Sequence, residues 1–179
     1  MSTHIVTRRI AIDAGHRIAS HGSKCRNLHG HRYEIEAECR TSAGLHEAGE
    51  QAGMAVDFGF LKQAMMAIID GPCDHGLIVD VNDGPLLDML APESETRAGT
   101  ESWRRRLIAE VTDQGWAECQ DGRLATKLYI LDGPPTAEGL ARHWFDRLAP
   151  WVQELSLGKA MLSALTVHET PNCTACYRP

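Results

Sequence analysis

From His31 to Arg40 the chain alternates without a break. Tyr33, Ile35, Ala37 and Cys39 fall on one side, and Arg32, Glu34, Glu36 and Glu38 on the other. A period of two over that length calls for an extended strand with one face in a core and the other toward water. Half-buried strands of this kind belong to antiparallel sheets. The three glutamates then read as a solvent-facing row and not as a carboxylate site. At the entry to this strand stands Cys25-Arg26-Asn27-Leu28-His29-Gly30-His31, which gathers one thiol and two imidazoles within seven residues.

The rest of the chain supplies partners for that strand. Ile5 to Ile12 alternates roughly, with Ile5, Ile10 and Ile12 against Thr7 and Arg9, and Ala14-Gly15-His16 follows at its end. Residues 20–28 read as a loop and 41–53 as a connection. Met54 to Phe58 reads as a short strand. Asp57 is placed to cap a helix through Leu61, Met65, Ile68 and Ile69, whose spacing gives one apolar face, and Gly71-Pro72 is expected to stop it. Cys73-Asp74-His75 lies in a turn before a strand from Leu77 to Val81. Residues 83–126 read as an inserted arm, with a helix from Thr100 to Asp113 that buries Trp103, Leu107, Ile108 and Val111 and ends at Gly115. A strand over 124–131, a helix over 137–148 with Leu140, Trp144, Phe145 and Leu148 inward, and a last strand over 160–169 complete the reading. Neighbouring strand pairs with helices between them indicate one α+β domain.

Length and charge narrow the function. A chain of 179 residues buries a core of its own, and a net charge of −6 argues against a nucleic acid as the main partner. The basic run Arg104-Arg105-Arg106 reads as a solvated helix face. Met1 to Arg9 has no apolar signal region, and no run is long enough for a membrane span, so a cytoplasmic protein is expected. In that compartment the six cysteines are expected to be reduced, metal-bound or catalytic.

His29 and His31, two apart on a strand, project from the same face and are able to share one ion, with Gly30 permitting close backbone approach. The bland alternative is a surface pair. His16 comes alongside if its strand pairs antiparallel with 31–40. Cys25 is either a fourth, closing ligand or a base or nucleophile beside a metal, against the commoner outcome of an inert buried thiol. Asp74-His75 has the composition of a general acid–base pair, although adjacent side chains often diverge. Glu169 has the chemistry to accept two parallel hydrogen bonds from a guanidine-like edge; the plain alternative is a solvated strand end. Cys173 and Cys176 form a Cys-x-x-Cys with no matching second pair and read as incidental.

Six motifs occur in order: Ala14-Gly15-His16-Arg17, Cys25-x3-His29-Gly30-His31, Gly53-Met54-x-Val56-Asp57-Phe58, Asp74-His75, Pro135-Thr136-x-Glu138 and Glu169-Thr170. In this the chain resembles the 6-pyruvoyl-tetrahydropterin synthase / 6-carboxy-tetrahydropterin synthase family over about residues 5–80 and 127–177. The Cys25–His29 spacing is similar to that of the bacterial carboxy branch. The resemblance implies the tunnelling fold (T-fold), with an antiparallel four-stranded sheet and helices on one face. It implies homo-hexamers built as dimers of trimers, with active sites at subunit interfaces.

For the site, the resemblance implies Zn2+ held by His16, His29 and His31, with Cys25 as catalytic base. It implies Asp74 and His75 as a partner pair, Glu169 as anchor of the pterin's amino-pyrimidine edge, and Thr136 nearby. The implied reaction converts 7,8-dihydroneopterin triphosphate to 6-carboxy-5,6,7,8-tetrahydropterin with loss of triphosphate and acetaldehyde, toward queuosine and related 7-deazapurines. Two alternatives accompany it: a pyruvoyl-forming or aldolase activity on a related pterin, and a non-catalytic zinc- or purine-binding protein. Lys24, Arg26 and Arg17 are the nearest cations in sequence for the triphosphate. Two departures stand out: Gly139 replaces the usual Asn after Pro-Thr-x-Glu, and the stretch 83–126 is longer than in compact members.

Overall fold

The structure, a computed structural model, describes residues 3–93 and 97–179. Residues 94–96 of the expected arm lie outside the described residues. The elements are β1 (Ile5–His16), β2 (His29–Thr41), α1 (Phe58–Met65), α2 (Gly71–Cys73), β3 (Gly76–Asp80), α3 (Gly84–Leu90), α4 (Arg97–Gln114), β4 (Trp116–Cys119), β5 (Leu128–Leu131), α5 (Ala137–Leu155), β6 (Ala160–Thr170) and β7 (Cys173–Tyr177).

The strands are hydrogen-bonded in the order β4-β5-β3-β1-β2-β6-β7, a seven-stranded sheet. This corrects the expected four-stranded antiparallel sheet. β2 with β6 and β6 with β7 are antiparallel. Thr41 N–H reaches the His4 carbonyl, while Gly30 faces the Ala14 carbonyl, so β1 and β2 also run in opposite directions. These four strands make the antiparallel part. β3, however, pairs parallel to both β1 and β5, and β4 closes antiparallel on β5. The cause is the connection. After β2 the chain passes through α1 and α2, a crossover long enough to bring β3 up beside β1 in the same direction. Alternation in β2 reports which of its faces is buried and says nothing about strands further along the sheet. β5, by contrast, is buried at all four residues, as interior parallel strands are.

The chain forms two compact units. One comprises Met1–Ile12, Arg32–Gly71 and Ala137–Pro179, and the other Asp13–His31 and Pro72–Thr136. In the first, α5 packs across β6 and β7 and against α1. Its core holds Tyr33, Ile35, Leu61, Met65, Ile69, Leu140, Trp144 and Leu148, all without solvent exposure. In the second, Val79, Leu87, Trp103, Leu107, Val111, Leu128 and Ile130 form a core that the 83–126 stretch builds with β3 and β5.

β2 keeps its expected alternation, but the Glu34–Glu38 row is not merely solvated. Arg9 bonds Glu34 at 2.8 Å and Glu36 at 2.9 Å, and Arg178 bonds Glu38 at 2.9 Å. Ile5 is exposed, because it has the opposite parity to the buried row of Ile10, Ile12, Ala14 and His16. Ile108 is exposed as well, since the buried stripe of α4 is Trp103, Leu107 and Val111 at a spacing of four. Of the basic run, Arg104 pairs with Asp88, and Arg106 with Glu110 and Asp121. Gly115 ends α4 with a φ of 86°, as expected of a C-terminal glycine.

Asp57 caps α1 by accepting from Gly59 N–H and Phe60 N–H, and Met54 to Val56 precede it without forming a strand. Gly71-Pro72 does not stop the helix. The chain widens into a π-turn over Met66–Asp70, with Gly71 N–H reaching Met66 O, and continues to Cys73. Arg147 on α5 donates to the Ile68 carbonyl at 3.3 Å, and Pro72 brings no N–H of its own to this turn. Leu124 and Ala125 have φ values of 61° and 50°, which delays β5 to Leu128. α5 runs on to Leu155, past the expected end at Leu148.

One consequence is a pH dependence of stability. Burial, with Arg147 adding to it, pushes the imidazole of His143 on α5 down to about 4 from 6.5. Between these values the unfolded chain binds a proton that the folded chain refuses. Stability is therefore full above about pH 6.5 and declines as pH falls toward 4, by at most on the order of 3 kcal/mol from this group. Denaturant midpoints measured across that range are expected to fall less steeply in His143→Gln. Equal slopes in the two proteins would assign the loss to other groups.

Candidate active site

Two period-two rows end at the same place. In β1 the buried row Ile10, Ile12, Ala14 terminates in His16, which is 1% exposed. In β2 the row of Tyr33, Ile35, Ala37 and Cys39 extends backward to His31 and His29. A Cβ at Gly30 would stand 3.0 Å from the Ala14 carbonyl oxygen, so glycine is what lets the two strands close up here.

The three imidazoles consequently converge. Ring centroids are 4.6 Å apart for His16–His29, 5.3 Å for His16–His31 and 4.9 Å for His29–His31. One ring nitrogen from each lies within 4.8 Å of the others. Among the described residues this is the group arranged to hold a metal ion, and Cys25 is not a member of it.

The donor set suits such an ion. His16 Nδ1 is 2.9 Å from the Pro135 carbonyl, and His29 Nδ1 is 2.8 Å from the Asn27 carbonyl. A carbonyl only accepts, so each Nδ1 carries the proton and each Nε2 keeps its lone pair. Backbone carbonyls that fix the tautomer of a histidine are the usual outer support of a metal ligand. Sequence reasoning did not find these two supports, because a carbonyl leaves no trace in residue identity. Pro135 enters the sequence pattern only as part of its motif.

Cys25 is half-buried in a short 3-10 turn, Lys24–Arg26. Its carbonyl accepts from Ile18 N–H at 2.8 Å, and Asn27 N–H closes the turn on the Lys24 carbonyl at 3.0 Å. The thiol thus sits in the same small turn whose last carbonyl orients His29. Arg17 is committed elsewhere. Its guanidinium makes two bonds, of 2.6 and 2.5 Å, to the buried carboxylate of Asp83, which also caps α3. The Arg17 hydrogen bonds hold the Asp83 carboxyl below its ordinary value, against the opposing effect of burial.

Asp74 and His75 do turn toward each other, with His75 Nδ1 2.7 Å from Asp74 Oδ2. Adjacent side chains meet here because His75 adopts a φ of 54°. The other carboxylate oxygen of Asp74 accepts from Asp13 N–H at 2.8 Å. Burial acts to raise the Asp74 carboxyl, but the bonds from Asp13 and His75 and the nearby Lys127 outweigh it and hold the group below its ordinary value. The anion in turn fixes the His75 proton on Nδ1. Asp13 and Lys127 carried no sequence signal, since one acts through its backbone and the other is a single lysine outside any motif.

Thr136 follows Pro135, its N–H bonded to the Pro134 carbonyl at 2.8 Å. Glu169, in the other unit, is half-buried at a break in register. His168 pairs with Thr174 and Thr170 with Cys173, which leaves Glu169 as the extra residue of a bulge. A bulge re-aims a side chain out of the ordinary alternation. Cys173 and Cys176 lie on β7, exposed, with both thiols free.

Solved structures share this architecture. An uncharacterized protein from Wolinella succinogenes aligns at a TM-score of 0.68 and 18% identity, covering 99% of each chain. The 6-pyruvoyltetrahydropterin synthase of Plasmodium vivax aligns at 0.60 and 15%, covering 100% of this chain and 99% of that one. The fold is therefore that of the pterin synthases. Sequence comparison carries the assignment further. The family profile described as 6-pyruvoyl tetrahydropterin synthase matches residues 5–179. Proteins named 6-carboxy-5,6,7,8-tetrahydropterin synthase are 32% identical in Rickettsia felis, over 93% of this chain and 94% of that one, and 35% identical in Haemophilus influenzae, over 97% of each. The chain belongs to the 6-pyruvoyl tetrahydropterin synthase family of enzymes.

Proposed function

We propose that this chain is a zinc-dependent lyase. It converts 7,8-dihydroneopterin triphosphate and one water to 6-carboxy-5,6,7,8-tetrahydropterin, acetaldehyde and triphosphate, on the way to queuosine and related 7-deazapurines. The observation that carries the reading is the convergence of three imidazoles, two of them with Nδ1 held by a carbonyl, in a chain whose relatives bear the carboxy-tetrahydropterin name.

His16, His29 and His31 would hold the zinc, His16 and His29 through Nε2 because Nδ1 of each faces a carbonyl. The ion, when bound, supplies Lewis acidity to the side-chain hydroxyl oxygens of the substrate. Cys25, in the turn beside His29, takes the proton from the adjacent carbon. His75 delivers protons through Nε2, while Asp74 holds Nδ1–H and steadies the imidazolium that forms when Nε2 is protonated. Glu169 accepts the two N–H groups of the amino-pyrimidine edge, with Thr136 nearby, and so points the side chain of the substrate at the metal. In this reading the chain is one T-fold synthase domain with an insertion over 83–126. It works in the cytoplasm as a homo-hexamer, a dimer of trimers with active sites at subunit interfaces.

The product decides the branch. Incubation with 7,8-dihydroneopterin triphosphate is expected to yield acetaldehyde and a carboxy-pterin in equal amounts, read by chromatography and mass. A product that retains the three-carbon side chain would assign the chain to the pyruvoyl branch, and a hydroxymethyl-pterin with glycolaldehyde triphosphate to the aldolase reaction. Zinc binding without turnover would make it a non-catalytic member.

A further inference from the structure

Asp74 and His75 meet on a turn that the backbone resists. The φ of 54° at His75 lies in the left-handed region, which a non-glycine residue keeps only where its surroundings hold it there. Two neighbours do so. From β1, Asp13 accepts from His75 N–H and donates its own N–H to Asp74 Oδ1, each at 2.8 Å. From the residue before β5, Lys127 does the rest. Its carbonyl accepts from Leu77 N–H at 2.9 Å, and its Nζ donates to the Asp74 carbonyl at 2.7 Å.

The lysine reaches that carbonyl by crossing Gly76. A Cβ at position 76 would stand 2.9 Å from the Lys127 carbonyl oxygen and 3.2 Å from Lys127 Cδ. The absence of a side chain at 76 is therefore the gap through which the lysine stem passes. The turn gathers the side chains of Asp74, His75 and Lys127 around the Asp13 backbone, and Lys127 is a cation that adds to the pull on Asp74.

We propose that Lys127 is a positioning residue for the Asp74–His75 pair. Its ammonium straps the Asp74 carbonyl and keeps the turn in the form where His75 carries its proton on Nδ1 and presents Nε2 to the substrate. The inference rests on the reading of this pair as the proton-handling pair of the site. The ammonium is the part that matters, because the stem alone fills the gap over Gly76 without holding the carbonyl.

The test uses Lys127→Met, which keeps the stem and removes the charge, and Lys127→Arg, which restores a donor. In the full-length, zinc-loaded protein labelled with 15N-histidine, long-range proton–nitrogen correlations report which nitrogen of His75 is protonated. The parent is expected to show the Nδ1–H form alone and Lys127→Met a mixture of both forms. Turnover of 7,8-dihydroneopterin triphosphate is expected to lose about 10- to 100-fold in kcat with little change in KM. Zinc content is expected to stay constant, and Lys127→Arg to recover both readouts in part. If Lys127→Met does not fold, judged by circular dichroism, Lys127→Gln takes its place with the same expected direction. An unchanged His75 tautomer overturns the proposal whatever the rate does. A changed tautomer in a chain that turns over no pterin supports the strap and sinks the proposed function instead.

Discussion

Replacing His29 with alanine is expected to remove bound zinc and activity together, with kcat/KM falling by at least about 1,000-fold. A catalytic zinc site uses three protein ligands and leaves a fourth position for substrate. Two imidazoles alone hold the ion far more weakly. His29 is the informative choice because its role is local. Its Nδ1 is tied to the Asn27 carbonyl two residues away, and the ring is only half-buried, so the change removes an imidazole from the group without opening a core. His16 is 1% exposed, so its loss would mix metal binding with packing. Elemental analysis of the purified protein beside the turnover assay gives the answer. Zinc retained at one ion per chain in His29→Ala would remove this histidine from the ligand set.

The second large effect separates the metal from the base. Cys25→Ala is expected to lower kcat by about 100- to 10,000-fold, the usual worth of a positioned proton-transfer group, with zinc content unchanged. Cys25 stands outside the converging imidazoles, in the 3-10 turn whose end orients His29. Removing its thiol therefore leaves the three imidazoles, and the carbonyls that support His16 and His29, in place. Loss of zinc along with activity would show that the cysteine closes the coordination sphere, and the role given to it here would be wrong.

The two experiments bear on different parts of one arrangement. Two strands end in phase, so that buried rows on β1 and β2 deliver His16, His29 and His31 to one point. A separate turn, held by Asp13 on one side and Lys127 on the other, brings Asp74 onto His75. The 83–126 stretch is attached to this region through Arg17, whose guanidinium grips Asp83 at the start of α3. It brings a core of its own, with Trp103, Leu107 and Val111 packed among Val79, Leu87 and Leu128.

The sequence by itself determined whatever depends on periodicity and on side-chain chemistry. The alternation of β2 placed His29 and His31 on the face of Tyr33 and Ile35. The motif Cys25-x3-His29-Gly30-His31 put two imidazoles and a thiol at the head of that strand, Asp57 announced the start of α1, and Gly115 the end of α4. These are local properties, set by a residue and its neighbours within one turn or one pleat. Only the tertiary structure decided how strands far apart pair and which backbone atoms complete the site. The parallel placement of β3 between β1 and β5 depends on a crossover through α1 and α2, which no pattern inside a strand encodes. The carbonyls of Asn27 and Pro135 fix the histidine tautomers, and the Asp13 backbone and the Lys127 ammonium hold the Asp74–His75 turn. Every residue has a carbonyl and most have an N–H, so residue identity is silent about which of them does this work. Folding selects them by bringing them within hydrogen-bonding distance.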